Sequence, residues 1–358
     1  MPWTLKTHLL FEEGRWSTSL HPHQFGTERY QSGEYLSGPL SLFLPRERYF
    51  LCHPGSETVL PEITTPLYIL ACQALPRFSV KYELDADFPS EISVPNLSRS
   101  QAKALEDLRR RALAKLFEEQ GLSWWDVFNA SDIGSERMKI VEQQIPTGSV
   151  VLDAGCGRGF FSFACSRVAR HVVGIDLMDG NGRLGWWEEL GSSLRLLEIG
   201  KRVSGARATV AQFPFRPQSF DVVASVHAIR NFPRTSEVER LIAEAKRVLK
   251  RNGRLVIVES QINRRTIGSY SAFYSLRTKI GWEFTIPTSE LIARWMRMHG
   301  FSSVSEDMLE TELKYAPVYF PFDPSLMKGH EEEYEAAERM LIEDGERHPP
   351  VSIISGTS

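Results

Sequence analysis

The residues best placed to do chemistry lie at 150–159, where the sequence reads VVLDAGCGRG. The apolar start suits a buried strand, and Asp153 stands where that strand ends. Gly155, Gly157 and Gly159 lack a Cβ atom, so the backbone can turn tightly and approach a ligand before a helix begins. This pattern is typical of nucleotide-binding turns, and it also fits a plain tight connection between a strand and a helix.

A second chemical feature follows in HVVGID at 171–176, a predicted strand that ends in an acid. Asp176 lies 17 residues beyond Gly159. In dinucleotide-type folds, a carboxylate at the end of the second strand, about twenty residues after the glycines, accepts hydrogen bonds from ribose hydroxyls. The spacing therefore favours a ribose-binding role for Asp176 over that of a solvated residue at a strand end.

The elements that must position these residues alternate between strand and helix, as expected for a parallel, doubly wound sheet. We therefore predict an α/β fold: a Rossmann-like doubly wound, mainly parallel seven-stranded sheet with an N-terminal β-containing accessory domain. After the glycines, the pattern predicts helices over 160–167 and 237–250, and strands over 171–176, 206–215, 222–224 and 254–260.

The chain divides near residue 130, because the local pattern differs on the two sides. The N-terminal part alternates like strands, with a hairpin turn predicted between Phe11 and Trp16. Ser98 and Gln101 then form a capping box, which opens a helix that runs to Gln120. The predicted units are a β-rich accessory domain over 1–97, a helical connector over 98–134, a catalytic domain over 135–322, and a C-terminal helix and tail over 323–358.

Composition argues against several classes of protein without excluding a local basic patch. The net charge of −3 and the pI near 6.3 provide no general attraction to nucleic acid. Four cysteines without paired spacing favour a reducing cytoplasm, and the chain lacks an apolar run of membrane-spanning length. His21 and His23 form an H-x-H that no neighbouring cysteine or acid completes, so no metal site is predicted.

Four segments, VVLDAGCGRG, VVGIDL, FPFRPQSFDVVAS and RVLKRNGRLVIVES, occur in this order and spacing. Together they resemble the class I S-adenosylmethionine-dependent methyltransferases over about residues 135–322. A nicotinamide dehydrogenase usually carries G-x-G-x-x-G instead. The segments IRNF at 229–232 and IPTSELIARWMRMHGF at 286–301 are most similar to the small-molecule branch that includes quinone-biosynthesis enzymes.

The resemblance implies S-adenosylmethionine as cofactor and S-adenosylhomocysteine as product. Asp176 would bind both ribose hydroxyls, and Leu177 would pack on the adenine. Many relatives have an acid after the third strand, where this chain offers Gln212, whose carbonyl oxygen can accept from the adenine amine. Phe213 would cover the other adenine face. The implied cofactor set is Asp153, Ala154, Gly155, Cys156, Gly157, Gly159, Asp176, Leu177, Gln212, Phe213 and Ser225, with Asp153 and the first two glycines at the methionine end.

The resemblance also implies roles on the acceptor side. The loop after the fourth strand faces the transferred methyl group in this family, so His227 is the candidate general base. A histidine there can equally shape the pocket or bond to backbone. Arg230 would bind an anionic substrate group, unless it is a surface arginine. Tyr270 and Tyr274 fall where relatives place a substrate-binding lid, and they are candidate acceptor contacts.

The expected reaction is in-line displacement that moves a methyl group to a small-molecule acceptor, with the protein mainly aligning the nucleophile. Two alternatives stay open. One is an RNA or protein methyltransferase that uses the N-terminal domain for recognition, although no basic stripe or base-modification motif is evident. The other is a noncatalytic assembly protein that binds S-adenosylmethionine. The oligomeric state is not readable from the sequence.

Overall fold

The fold is described from a computed structural model of the chain. The structure describes residues 9–12, 15–18, 64–84, 88, 99–177, 186–232, 234–260, 287–309, 332 and 351–358, and the statements below concern these residues. No helix within these ranges is long and apolar enough to cross a membrane.

Seven strands form one sheet in the order β5-β4-β3-β6-β7-β9-β8. The strands β3 to β7 run parallel, and β9 is antiparallel to both of its neighbours. This is the Rossmann-type order with one reversed strand inserted near an edge, so the predicted mainly parallel sheet is confirmed. The strands are β3 (Val150–Ala154), β4 (His171–Asp176), β5 (Val203–Arg207), β6 (Phe220–Val226), β7 (Leu249–Ser260), β8 (Ser302–Leu309) and β9 (Val351–Thr357).

Helices cover both faces of this sheet. Consecutive strand residues point to opposite faces, and the core accordingly divides, with Val151 on one side and Val150 and Leu152 on the other. The helices are α1 (Thr65–Lys81), α2 (Arg99–Gln120), α3 (Trp124–Ala130), α4 (Asp132–Gln144), α5 (Phe160–Cys165), α6 (Trp186–Leu196), α7 (Thr235–Val248) and α8 (Ser289–Met298), with a short 3-10 turn at Ile229–Asn231.

The start of helix α4 is held firmly against helix α3. The Ser131 hydroxyl accepts a hydrogen bond of 2.9 Å from the Gly134 N–H, which caps the helix. The Ile133 N–H donates to Oε1 of Gln73 at 3.1 Å. A Cβ atom at Gly134 would overlap the carbonyl of Phe128. These contacts set the position of the next turn of α4, which carries Glu136.

The hairpin predicted near the N-terminus is present. Strands β1 (Leu9–Glu12) and β2 (Arg15–Thr18) pair antiparallel, with Phe11 opposite Trp16. The third strand of the main sheet differs from its prediction, because it covers Val203–Arg207 and not 206–215. Phe213 and Phe215 made the later residues look strand-like, but both rings pack into the core from a connecting segment.

Two elements of the fold pack with residues that the predicted division assigns to other units. Helix α1 lies within the segment predicted to be β-rich, and its Leu70 shares a core with Phe128 of α3 and Val151 of β3. The predicted tail over 323–358 contains β9, whose Ile353 and Ile354 reach the cores on opposite faces of the sheet. The positions of α1 and β9 depend on packing between segments that are far apart in the sequence. Local turn and capping signals in the sequence do not report such packing.

Candidate functional site

The glycine-rich turn lies between the carboxyl end of β3 and helix α5. Gly155, Gly157 and Gly159 have φ angles of 81°, 49° and 85°, in the left-handed region that favours glycine. The N–H groups of Gly155 and Cys156 donate to the carbonyl of Ile175 at 2.8 and 3.0 Å. These two bonds tie the turn to the neighbouring strand β4.

The turn is also packed tightly against the next loop of the sheet. A Cβ atom placed on Gly155 would come within 2.6 Å of Cβ of Ala228, and one on Gly159 would clash with Leu190. Ala228 belongs to the loop that follows β6. The absence of side chains at these glycines therefore lets the turn and that loop lie in direct contact.

Asp176 stands at the end of β4, beside the turn. Its Oδ2 accepts a hydrogen bond of 3.0 Å from the N–H of Gly157. Asp176 and the following Leu177 are both half-buried, so their side chains keep some exposed surface. The structure thus brings together the glycines, the acid and the apolar residue that the sequence predicts for one nucleotide-like ligand.

Asp153 has a different place from the one predicted at the methionine end of the cofactor. It is 1% exposed, and its Oδ2 accepts a hydrogen bond of 2.6 Å from the Ser162 hydroxyl of α5. Its Oδ1 is buried without a hydrogen-bond partner. Burial, with the Asp176 carboxylate acting in the same direction, raises the pKa of Asp153 to about 7 against the opposing Ser162 hydrogen bond. The carboxyl group joins β3 to α5 and presents almost no surface to a ligand.

The remaining predicted cofactor contacts differ in how much surface they offer. Phe213 is 1% exposed and packs in the core, so its ring is not available to cover an adenine face, contrary to the prediction. Its N–H donates to Oε2 of Glu244 at 2.7 Å. Gln212 beside it is exposed. Ala154 is buried, and Ser225 is buried with a hydroxyl that has no hydrogen-bond partner.

Cys156 lies inside the turn and is almost fully buried. Burial raises the pKa of its thiol, and the charges of Asp153 and Asp176 act in the same direction. Its sulfur approaches the position that a Cβ atom on Gly174 would occupy. The Cys156 thiol is therefore an unreactive group that packs beneath the turn.

His227 follows β6 directly and has a φ of 53°, a backbone conformation that costs a non-glycine residue about 1–3 kcal/mol. Its N–H donates to the carbonyl of Val258 at 2.8 Å. Nε2 lies 2.6 Å from Oε1 of Glu136, and Nδ1 lies 2.6 Å from Nη2 of Arg230. Because a guanidinium only donates, Nδ1 accepts and the ring proton resides on Nε2. A general-base role for His227 therefore requires Arg230 to leave Nδ1.

Arg230 is 11% exposed and lies in a buried ion pair with Glu259, so its described contacts lie inside the protein. Its Nε lies 3.0 Å from Oε1 of Glu259, and its backbone N–H donates to Oε2 at 3.2 Å. The Ser260 N–H donates to the same carboxylate at 2.9 Å. Burial alone would raise the pKa of Glu259, but the Arg230 guanidinium outweighs burial and, with the Ser260 backbone N–H acting in the same direction, lowers it to about 2. This arrangement differs from the predicted substrate-anion ligand.

Sequence reasoning missed Glu136 and Glu259, the two acids that contact His227 and Arg230. Glu136 also pairs with Arg137, its neighbour on α4. Glu259 could have been found, because it ends a strand beside the one that leads to His227, and parallel strand ends meet at one edge of a sheet. Glu136 carries no such signal, since it lies 91 residues from His227 in the chain.

Tyr270 and Tyr274 lie outside the described residues, as do His21 and His23. Within the part of the chain that the structure describes, no group of three or more His, Cys, Asp or Glu side chains is arranged to hold a metal ion.

The chain is also similar in sequence to known proteins. The family described as "Methyltransferase domain" matches residues 152–257. Ubiquinone biosynthesis O-methyltransferase from Hahella chejuensis is 30% identical over 218 residues, which cover 57% of this chain and 81% of that protein. Demethylmenaquinone methyltransferase from Tropheryma whipplei is 31% identical over 136 residues, covering 36% of this chain and about half, 49%, of that protein.

Solved structures include a similar chain as well. A cyclopropane-fatty-acyl-phospholipid synthase-like protein from Lactobacillus casei has a TM-score of 0.49 and 17% sequence identity. The likeness covers 65% of this chain and 93% of that one.

Proposed function

We propose that this chain, which belongs to the class I S-adenosylmethionine-dependent methyltransferases of the quinone-biosynthesis type, methylates a small aromatic acceptor such as a quinol or catechol. The family membership makes the chain an enzyme with S-adenosylmethionine as cofactor. The acceptor class is the proposed part. Support comes from relatives whose names specify ubiquinone or menaquinone biosynthesis, together with the geometry at the carboxyl edge of the sheet.

The residues of the glycine turn fit the cofactor. When bound, S-adenosylmethionine supplies an activated methyl group on a sulfonium sulfur. The backbone of the turn at Gly155 and Gly157 lies at the carboxyl end of β3, and we assign it to the methionine end of the cofactor. Asp176, half-buried beside the turn, would accept hydrogen bonds from the ribose hydroxyls. Leu177 would lie against the adenine, with Gln212 as its exposed polar neighbour.

The observation that carries the acceptor proposal is the contact between the turn and the loop over 227–231. Cβ of Ala228 lies only 2.6 Å from the position that a Cβ atom on Gly155 would take. The loop after β6 is therefore next to the proposed methionine end, where the acceptor must lie for in-line transfer. The protein's contribution is to hold this loop and exclude water, because a methyl group on sulfonium is already activated.

A macromolecular acceptor is less well supported. The net charge of −3 offers no general attraction to RNA. The cysteines that the structure describes, Cys72, Cys156 and Cys165, are free and buried, in keeping with a reducing compartment. We therefore propose a cytoplasmic enzyme that acts on a small molecule.

The test is methyl transfer with label on the donor. The purified full chain is incubated with S-adenosylmethionine labelled on its methyl group and, in separate reactions, with demethylmenaquinol, a simple catechol, total RNA or a protein mixture. We expect label in a small aromatic acceptor, and much less label with the Asp176→Ala variant at a subsaturating concentration of S-adenosylmethionine. Label only in RNA or protein, or in no pool at all, would overturn the proposed acceptor class.

A further inference from the structure

We propose that Glu136 and Glu259 are positioning residues for methyl transfer, which together clamp the loop 227–231 against the glycine turn. This inference rests on the proposed function for its effect on the reaction, while the clamp itself can be tested without an acceptor. Both acids lie outside the matched methyltransferase segment 152–257. Neither acid is among the residues proposed to bind the cofactor.

The first arm of the clamp is Glu136. Its side chain is 2% exposed, and its Oε1 lies 2.6 Å from Nε2 of His227. The cap at Ser131 and the bond from Ile133 to Gln73 hold the first turn of α4, so the carboxylate is presented from a fixed helix. The pairing with Arg137 balances its charge.

The second arm is Glu259, at the end of β7. The Glu259 carboxylate lies 3.0 Å from Nε of Arg230 and accepts a hydrogen bond of 3.2 Å from the backbone N–H of Arg230. The Ser260 N–H binds the same group at 2.9 Å. Because both the side chain and the backbone of Arg230 are held, the 3-10 turn that contains it is fixed to the strand beside β6.

The two arms meet on the imidazole of His227. Arg230 donates to Nδ1 at 2.6 Å, and the Ser260 hydroxyl lies 3.3 Å from the same nitrogen. Glu259 itself lies 3.7 Å from Nδ1. A ring that accepts at Nδ1 and donates from Nε2 to Glu136 links α4, the loop and β7 in one chain of hydrogen bonds.

Ala228 lies between the two clamped residues, His227 and Arg230, and it packs against Gly155. The backbone of His227 has a positive φ of 53°, so the loop needs its surroundings to hold this conformation. Loosening either arm would therefore move the acceptor side of the site relative to the glycine turn. The expected cost falls on turnover more than on cofactor affinity.

The clamp makes a prediction that needs no acceptor. In the full chain with ¹⁵N-labelled histidine, we expect the His227 ring, assigned by its loss in His227→Asn, to give the NMR signature of the Nε2–H tautomer near neutral pH. The Nδ1–H tautomer, or a ring that averages between both, would overturn the clamp, since Arg230 and Glu136 could not then both hold it. Failure of the acceptor assay would leave this result unaffected.

The kinetic test uses Glu136→Gln, with Glu142→Gln as the matched control on an exposed position of the same helix. We expect kcat to fall at least about tenfold in Glu136→Gln and to stay within about twofold in the control. Binding of S-adenosylhomocysteine, measured by calorimetry, should change by less than about twofold in both variants. An unchanged kcat in Glu136→Gln would overturn the proposal.

A double variant separates positioning from general destabilisation. If Glu136 acts through His227, then Glu136→Gln should lower kcat little further in a His227→Asn background. An equal fold-loss in both backgrounds would show that the two residues act independently, which overturns the clamp. Glu259→Gln provides the second arm, and it should also lower kcat without changing the affinity for S-adenosylhomocysteine.

Discussion

The N–H of Gly157 donates a hydrogen bond of 3.0 Å to Oδ2 of Asp176. This bond joins the turn after β3 to the acid after β4, so the two parts of the proposed cofactor site are held as one unit. Asp176 thus orders the turn, and the ribose-binding role that we propose for it would use the same carboxylate.

Replacing Asp176 with Ala should weaken S-adenosylmethionine binding more than about tenfold, because charge-assisted hydrogen bonds worth roughly 1.5–3 kcal/mol are lost. Calorimetry on the purified chain measures the affinity, with Asp307→Asn on the exposed face of β8 as control. Unchanged affinity in Asp176→Ala would refute the ribose assignment.

A Gly155→Ala variant should lose both stability and cofactor affinity. Its φ of 81° costs a residue with a Cβ about 1–2 kcal/mol, and the new Cβ would press on Ala228. Gly148→Ala is the matched control, because Gly148 has a φ of 79° with no atom within 4 Å of the added Cβ. Urea denaturation should show the larger loss for Gly155→Ala, and only that variant should bind S-adenosylhomocysteine less tightly. Equal losses would show that the contact with the 227–231 loop is unimportant.

Asp153 should make stability depend on pH. Its folded pKa of about 7 lies above the ordinary value of 3.8, so the stability it contributes is present below about pH 4 and is lost as the pH rises towards 7. Asp153→Asn removes this dependence. We expect the variant to gain on the wild type by up to roughly 4 kcal/mol between those pH values, at about 1.4 kcal/mol per pKa unit. Urea unfolding across that range measures the difference, and a constant difference would contradict the burial argument.

His227→Ala should lower turnover more than cofactor affinity, because the residue lies on the acceptor side of the turn. His299→Ala, at the end of α8, is the control and should leave both quantities near the wild-type values. Steady-state kinetics and calorimetry with S-adenosylhomocysteine provide the two readouts. If turnover of His227→Ala equals that of the wild type, His227 has neither a catalytic nor a positioning role.

Arg230→Met should destabilise the fold by about 3–5 kcal/mol at neutral pH, because it leaves the Glu259 charge buried without its cation. The lowered pKa of Glu259, about 2, stabilises the fold above about pH 4.5 and loses that effect as the pH falls towards 2. The deficit of Arg230→Met should therefore shrink in acid. Arg240→Met, at an exposed position of α7, is the control in urea denaturation. A deficit that does not change with pH would argue against the ion pair as its cause.

The sequence by itself determined the parts of this protein that depend on neighbours in the chain. Apolar runs bounded by glycines predicted β3 and β4, and the spacing of Asp176 from Gly159 predicted an acid at the end of the second strand of the sheet. Strand periodicity and turn composition involve only a few neighbouring residues, so they can be read directly from the sequence. The same local signals misplaced the third strand. Phe213 and Phe215 are apolar because their side chains pack in the core, and they do not belong to a strand of the sheet.

Only the tertiary structure decided what surrounds His227. Glu136 approaches it from a helix 91 residues earlier, and Glu259 from the neighbouring strand, so both ring nitrogens are engaged and Arg230 is paired inside the protein. The insertion of β9 beside β7 and the packing of α1 on the shared core were likewise invisible in the sequence. The physical reason is the same in each case: burial and charge pairing join residues through space, and their energies depend on which distant segments the fold brings within contact distance.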